Sequence, residues 1–458
     1  MASEPMNFLK LSTIPLNMEQ KLETDLLEPV VFNDGSATTT GFVRFTLQRK
    51  GILHSHSKLF LSLVPPAGVS SGYFPPSIGI GAVVESARLL CGNQVLNEIS
   101  SWGNFHSVKS MVISNENNVE REQYTTGRGM SHQFNYTAGS ETTAPSVGFE
   151  NGREYGGADL EALPFAQMNG AVDASGYLNS SESPSYAIDL SDLFPFLKVH
   201  QLPLAMIEQD VSIELTLTQQ EEHRANVKTG TDALKASYTI DRNELKFCAD
   251  YIFWGDGDDF QKYMAQNRSQ TFSFVDHRLT TTSIAAGDTS VIRNIGMANR
   301  MVNRIVTTFQ NDSATDGVIL NKYGNLSMDK DADSVVGGIQ YNIRYNDRFE
   351  YSSNVSNPAQ LFSLSQQAEG IPAVLREEFS NEGDSLTAGL YQGCGQDTDL
   401  AGEFFFVSTR LSAGRVGERG IELHLTLDSQ AGVTTMRTWA EYMRVAVLED
   451  GIFTIYNA

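Results

Sequence analysis

One short pattern occurs twice in this chain, 208 residues apart: Ile213-Glu-Leu-Thr-Leu-Thr in the first half and Ile421-Glu-Leu-His-Leu-Thr in the second. Both alternate apolar and polar residues. That period of two places Val211, Ile213, Leu215 and Leu217 on one face of a strand and suits no helix. Each copy closes a series of short strand-like segments and follows an irregular, glycine-containing region. The context counts for more than the match, because Leu/Thr alternation recurs by chance. Together they constrain the fold to a duplicated all-β unit of about 200 residues, an ordinary size for an all-β domain.

The same period marks other segments. Val43, Phe45 and Leu47 alternate with Arg44, Thr46 and Gln48 up to Lys50-Gly51, and Leu59, Leu61 and Leu63 alternate up to Pro65-Pro66. A strand is expected over Val83–Leu90, ending at Cys91-Gly92-Asn93 and resuming at Val95, and Trp102–Met111 reads as a short helix. In the second half, strands are expected over Leu245–Trp254, Thr271–Thr280, Ser290–Ile295, Val302–Phe309, Gly338–Tyr345, Glu403–Arg410, Arg444–Val447 and Phe453–Tyr456. Short strands at this spacing, bounded by turns, indicate a sandwich or jelly roll. The expected fold class is all-β, and two such units in tandem fit the length.

Three stretches lack the pattern. Residues 1–32 mix apolar and charged positions without a period and read as an N-terminal arm. Residues 114–183 are rich in Asn, Gly, Ser, Thr and Glu with few apolar anchors, the texture of a long projecting loop. The polar stretch Gln219–Asp232 reads as an interdomain connection. The layout expected is an arm over 1–32, a first unit over 33–225 that carries the loop, and a second unit over 226–458.

Charge narrows the function. The formal net charge is −22, and the longest basic run is Arg49-Lys50. A nucleic-acid binder needs clustered Lys and Arg to release counterions from phosphates, so direct nucleic-acid binding is not expected. Cys91, Cys248 and Cys394 are widely spaced and odd in number, which fits a reducing compartment rather than a disulfide framework. The start, Met-Ala-Ser-Glu-Pro, has no apolar signal region, and no stretch reaches the roughly 18 apolar residues of a membrane span. Without a signal peptide the sequons at Asn135, Asn325 and Asn354 carry little meaning.

Each candidate for chemistry lacks a part. His54-Ser-His56 would put two imidazoles on one face of an extended strand, as in a cupin metal site, but Ser57-Lys58-Leu59-Phe60 follows with no carboxylate. Polar surface or a subunit contact suits the pair better. Asp329-Lys-Asp331-Ala-Asp333 opens like a calcium loop, yet Ser334 and Gln340 stand where that loop needs Gly and Glu. A solvated acidic turn is the plainer reading. Asp256-Gly-Asp258-Asp259 is weaker still, and Gly79-Ile-Gly81 lacks the third glycine of a dinucleotide loop. Asp276-His277 has no Ser or Cys nucleophile motif beside it, and Trp102, Trp254 and Trp439 read as core anchors. The expectation is therefore no enzyme, no cofactor, no metal and no catalytic residue.

Four stretches resemble the double jelly-roll major capsid proteins of icosahedral double-stranded DNA viruses. They are the opening strands at Thr40–Leu47 and Gly51–Leu63, the strand-turn-strand Glu85–Ile99, the segment Leu190–Leu204 ending in Leu-Pro-Leu, and Asp250–Phe260. The chain lacks the Gly-Asn-Pro-Gln run of the large algal and amoebal virus members and is closer in pattern to virophage and polinton-like members. The resemblance implies an all-β fold of two tandem eight-stranded antiparallel jelly rolls (a double jelly roll) with long surface loops and a few short helices. With it come a homotrimer with six rolls forming a pseudo-hexameric capsomer, and a tower built from long loops such as 114–183. It also implies contacts with neighbouring capsomers, penton and minor capsid proteins, and a place in the virion after synthesis in the host cytoplasm or nucleus. The alternatives are a two-jelly-roll glycan-acting enzyme and a carbohydrate-binding or spike module.

Overall fold

A computed structural model of the chain describes residues 20–64, 71–73, 78–112, 125–126, 178–179, 185–220, 226–227, 238–254, 269–311, 340–356, 358–369, 406–411, 414–427 and 433–457. The strands of the first half are β1 (Gln20–Leu27), β2 (Val31–Asn33), β3 (Gly41–Thr46), β4 (Ile52–Leu53), β5 (Lys58–Val64), β6 (Ser71–Tyr73), β7 (Val84–Cys91), β8 (Gln94–Ser100), β9 (Leu178–Asn179), β10 (Ser185–Asp189), β11 (Val211–Leu217), β12 (Asn226–Val227), β13 (Thr239–Ile240) and β14 (Lys246–Trp254). Those of the second half are β15 (Ser269–Ile284), β16 (Ser290–Gly296), β17 (Val302–Asn311), β18 (Gln340–Tyr345), β19 (Arg348–Phe349), β20 (Phe406–Arg410), β21 (Ile421–Thr426), β22 (Thr434–Glu449) and β23 (Ile452–Asn457). Helices α1 (Trp102–Val112), α2 (Leu190–Leu193), α3 (Pro195–Val199) and α4 (Pro358–Glu369) lie between strands.

Counting β1, β3, β5, β7, β8, β10, β11 and β14 as strands 1 to 8 of a first unit, one sheet has the order 1-8-3-6 and the other 2-7-4-5. Counting β15 to β22 as strands 1 to 8 of a second unit gives the same two orders. All these pairings are antiparallel. The matching hexapeptides occupy the same place in both units: β11 and β21 are each strand 7, flanked by strands 2 and 4.

This order moves two boundaries expected from the sequence. β1 lies in the stretch read as an arm, yet all eight of its residues pair with β14. β14 was assigned to the second unit, yet it lies between β1 and β5 in the first unit's sheet. The polar stretch from Gln219 thus leads from strand 7 to strand 8 of one unit. Its start is held there, with Gln220 donating through its backbone N–H to Ser36 O (3.2 Å) and through its amide to Asp34 Oδ2 (3.2 Å). Of the expected loop 114–183, only 125–126 and 178–179 fall among the described residues, and Leu178–Asn179 pairs with β6, whose other neighbour is β12.

β1 hid from the sequence because its pattern is inverted. Leu22 and Leu26 point outward, while Glu23 and Asp25 lie on the other face and both pair with Lys50. The ammonium also stands over the Tyr251 ring (4.7 Å). Lys50→Ala should therefore loosen β1, because both carboxylates lose the one ammonium they share. Hydrogen exchange should show faster amide exchange in 20–27 and little change in 269–284.

The first core comprises the facing sides of the first unit's sheets, among them Phe45, Leu61, Leu89, Ile213 and Tyr251. It does not stop at that unit: Phe272, Phe274, Trp439, Ala446, Leu448 and Phe453 of the second belong to it. A separate cluster, including Ile305, Phe309, Ile343, Leu423 and Met436, fills the second unit.

Candidate assembly surfaces and the joint between the units

Two polar clusters lock the units together, one on each face of β15. Successive strand residues point to opposite faces, so Asp276 and His277 enter different clusters.

Asp276 is buried. Its carboxylate accepts from Asn97 Nδ2 (2.7 Å) and the Glu98 backbone N–H (3.1 Å) of the first unit. It also accepts from Arg444 Nη1 (2.6 Å) and Tyr442 OH (3.2 Å) of the second. Asn97 in turn accepts from the Phe196 N–H (3.1 Å). The carboxylate thus ties β8, α3 and β22 at one point.

On the opposite face, Glu441 accepts from His277 Nε2 (3.1 Å) and from Arg304 Nη2. Glu369 of α4 receives Arg304 Nη1, Lys109 Nζ of α1 (2.9 Å) and Ser408 Oγ (2.7 Å). Two carboxylates therefore face two cations in a largely buried setting. Burial alone would raise the Glu441 carboxyl, but the charges of Arg304 and Lys109 overcome it and hold the group well below the usual carboxylate range. Burial, with the adjacent Arg304 charge, lowers the Lys109 ammonium. The Phe105 ring of α1 packs, tilted, against His277 (4.6 Å between centroids) and Trp439 (5.6 Å), whose indole N–H donates to Ser100 O (3.1 Å).

The end of the second unit docks as well. β22 and β23 are joined by Asp450-Gly451, both at positive φ (48° and 81°), the geometry of a tight type I′ hairpin. The Glu208 N–H donates to Gly451 O (2.8 Å), and a Cβ at position 451 would come within 2.4 Å of Glu208 Cγ. Glycine here gives both the turn and the close approach.

No family model matches the chain, and no curated protein matches it in sequence. Solved structures match in fold. A chain of the Sputnik virophage, solved by cryo-EM, has a TM-score of 0.56 at 11% identity, covering 100% of this chain and 93% of that one. PBCV-1 VP54, fitted into a reconstruction of Sputnik, scores 0.54 at 12% identity, covering 97% and 98%. The faustovirus major capsid protein scores 0.50 at 8% identity, covering 95% and 92%. These likenesses run through both units, each with the 1-8-3-6 and 2-7-4-5 orders. The fold is a double jelly roll.

The double jelly roll places the sequence candidates plainly. His54 and His56 lie in a turn, not on the extended strand that a paired-imidazole site needs. The His56 N–H donates to His54 Nδ1 (3.0 Å), and the rings stand edge to face at 4.3 Å. Among the described residues no group of three or more His, Cys, Asp or Glu is arranged to hold a metal. Asp256–Asp259, Asp329–Asp333 and Cys394 lie outside the described residues, as does the Trp254 side chain. Burial pushes the Cys91 thiol up to about 12 and raises Cys248 as well, the opposite of an activated thiolate. Trp102 and Trp439 are buried anchors, the first donating to Asp192 O (3.2 Å). Among the described residues no helix is long and apolar enough to cross a membrane. What sequence reasoning missed is the joint itself. Asp276-His277 was visible as a pair, but the partners that give it a role lie 164 to 179 residues away.

Proposed function

We propose that the chain is the major capsid protein of an icosahedral double-stranded DNA virus. In this reading three copies form a pseudo-hexameric capsomer that meets neighbouring capsomers, penton and minor capsid proteins. The observation that supports it most is the end-to-end likeness, both rolls included, to the faustovirus major capsid protein and the Sputnik chain. The buried joint suits the role, because a shell block must carry load through its rolls without hinging. The glycan-acting and carbohydrate-binding alternatives find no support among these neighbours. In electron micrographs the purified chain should give three-fold averages with a hexagonal outline. Isolated two-lobed particles at all concentrations would count against the reading.

Two expectations belong to this proposal. This reading assigns the tower to residues 114–183, most of which lie outside the described residues, so protease cleavage within them should leave the melting midpoint of the rolls unchanged. His54 and His56 serve as polar surface, so replacing both with Gln should leave solubility and assembly unchanged. Stoichiometric zinc, nickel or iron in untagged protein, lost in the double variant, would revive a metal site there.

A further inference from the structure

One buried histidine at the joint takes no part in the two polar clusters. His200 follows α3 of the first roll and is 6% exposed. Its Nε2 lies 2.7 Å from Ser273 O on β15 of the second roll. A carbonyl oxygen only accepts, so the imidazole carries its proton on Nε2 and donates it there. The other ring nitrogen, Nδ1, is buried with no hydrogen-bond partner among the described residues. The ring packs against Phe196 (5.4 Å between centroids) and Phe272 (5.5 Å), and Phe272 in turn against Phe453 (5.7 Å).

This setting admits the neutral ring and not the cation. A second proton would sit on Nδ1, a charged donor enclosed by aromatic rings with nothing to accept from it. No charged side chain offsets that cost. On α3, Lys198 is exposed. On β15, Asp276 is taken up by Arg444, Asn97 and Tyr442, and His277 faces Glu441. β23 presents Phe453. Burial accordingly holds the His200 imidazole below its ordinary 6.5, opposed only by the Ser273 carbonyl.

We infer that His200 is an acid-sensitive latch between the two rolls: neutral, it ties β15 to the first roll, and in mild acid it takes up a proton and lets that contact open. A histidine held neutral by folding adds stability that is present in full above its unfolded value and lost as pH falls from there towards its folded one. The loss therefore begins below 6.5. Glu441, held well below the usual carboxylate range, stays charged where the loss begins, so the ionic cluster on the other face of β15 does not produce it. A block that is stiff at neutral pH thus gains play between its rolls in mild acid. The latch lies within one chain, so it holds whatever the chain assembles into.

The test compares the full wild-type chain with His200→Gln, whose amide N–H can keep the bond to Ser273 O but takes up no proton. Both are unfolded in denaturant at steps from about pH 7.5 to about pH 5.5, the range in which a histidine changes charge. Glu85 and His54, also displaced by burial, are common to both proteins and cancel. The wild-type unfolding constant should rise relative to the variant's by up to about tenfold per pH unit, the slope of one proton. At the acid end, amide exchange in α3 and the first half of β15 should be faster in wild type than in the variant, and equal in β21. Exchange of the imidazole C2–H, read by mass spectrometry on wild type, needs no variant and should place His200 below 6.5 in the folded chain. Stability curves that run parallel across this range, whatever their offset, or a His200 titration at or above that value, would overturn the inference.

Discussion

Asp276→Ala should destabilise the protein by about 3–5 kcal/mol, the range for removing one partner of a buried ion pair. The alanine leaves the Arg444 guanidinium without its 2.6 Å acceptor and strips the Asn97 amide and the Glu98 N–H of theirs, all at the meeting of two rolls. Asp276→Asn keeps the shape and one acceptor oxygen but removes the charge, so its cost should be smaller. Denaturant unfolding of both variants beside wild type measures this. The loss should also change how the protein unfolds. With the joint weakened, the rolls should melt in two steps rather than one, visible by calorimetry. An Asp276→Ala variant as stable as wild type would mean that this joint does not hold the rolls together.

Arg304→Met should have a similar effect, about 3–5 kcal/mol, because it leaves Glu369 and Glu441 with Lys109 as their one shared cation and Glu441 with only the His277 hydrogen bond besides. Acid should act on the same cluster. Glu441 titrates well below its ordinary 4.5 in the folded chain. A carboxyl depressed on folding adds stability that is fully present above its unfolded value and is lost as pH falls through its folded value. Wild type should therefore lose stability progressively below about pH 4.5, and Glu441→Gln, already less stable at pH 7, should lose less over that range. Equal acid sensitivity in the two proteins would remove Glu441 from the account.

Much of the fold was legible because a strand with one buried face alternates in its own sequence. β3, β5, β11 and β21 all do so, and the repeat at 213 and 421 marked strand 7 of both rolls before any pairing was known. β1 was illegible for the converse reason. Its leucines face out and its acids are neutralised by Lys50, a residue on a different segment, so no apolar face marks it in the sequence. β14 was seen as a strand but given to the wrong roll. Its partners β1 and β5 lie about two hundred residues upstream, and a long polar stretch before it looked like a boundary. The joint shows the same limit. Lys109, Arg304, Glu369 and Glu441 come from four separate elements, and only the folded topology makes them neighbours.

The central claim, that two welded rolls form one shell-building unit which assembles with its own kind, is met most directly by the mass of the purified chain in solution. Light scattering over a range of concentrations should give about three times 50.3 kDa. A mass that stays at the single-chain value across that range would contradict the account.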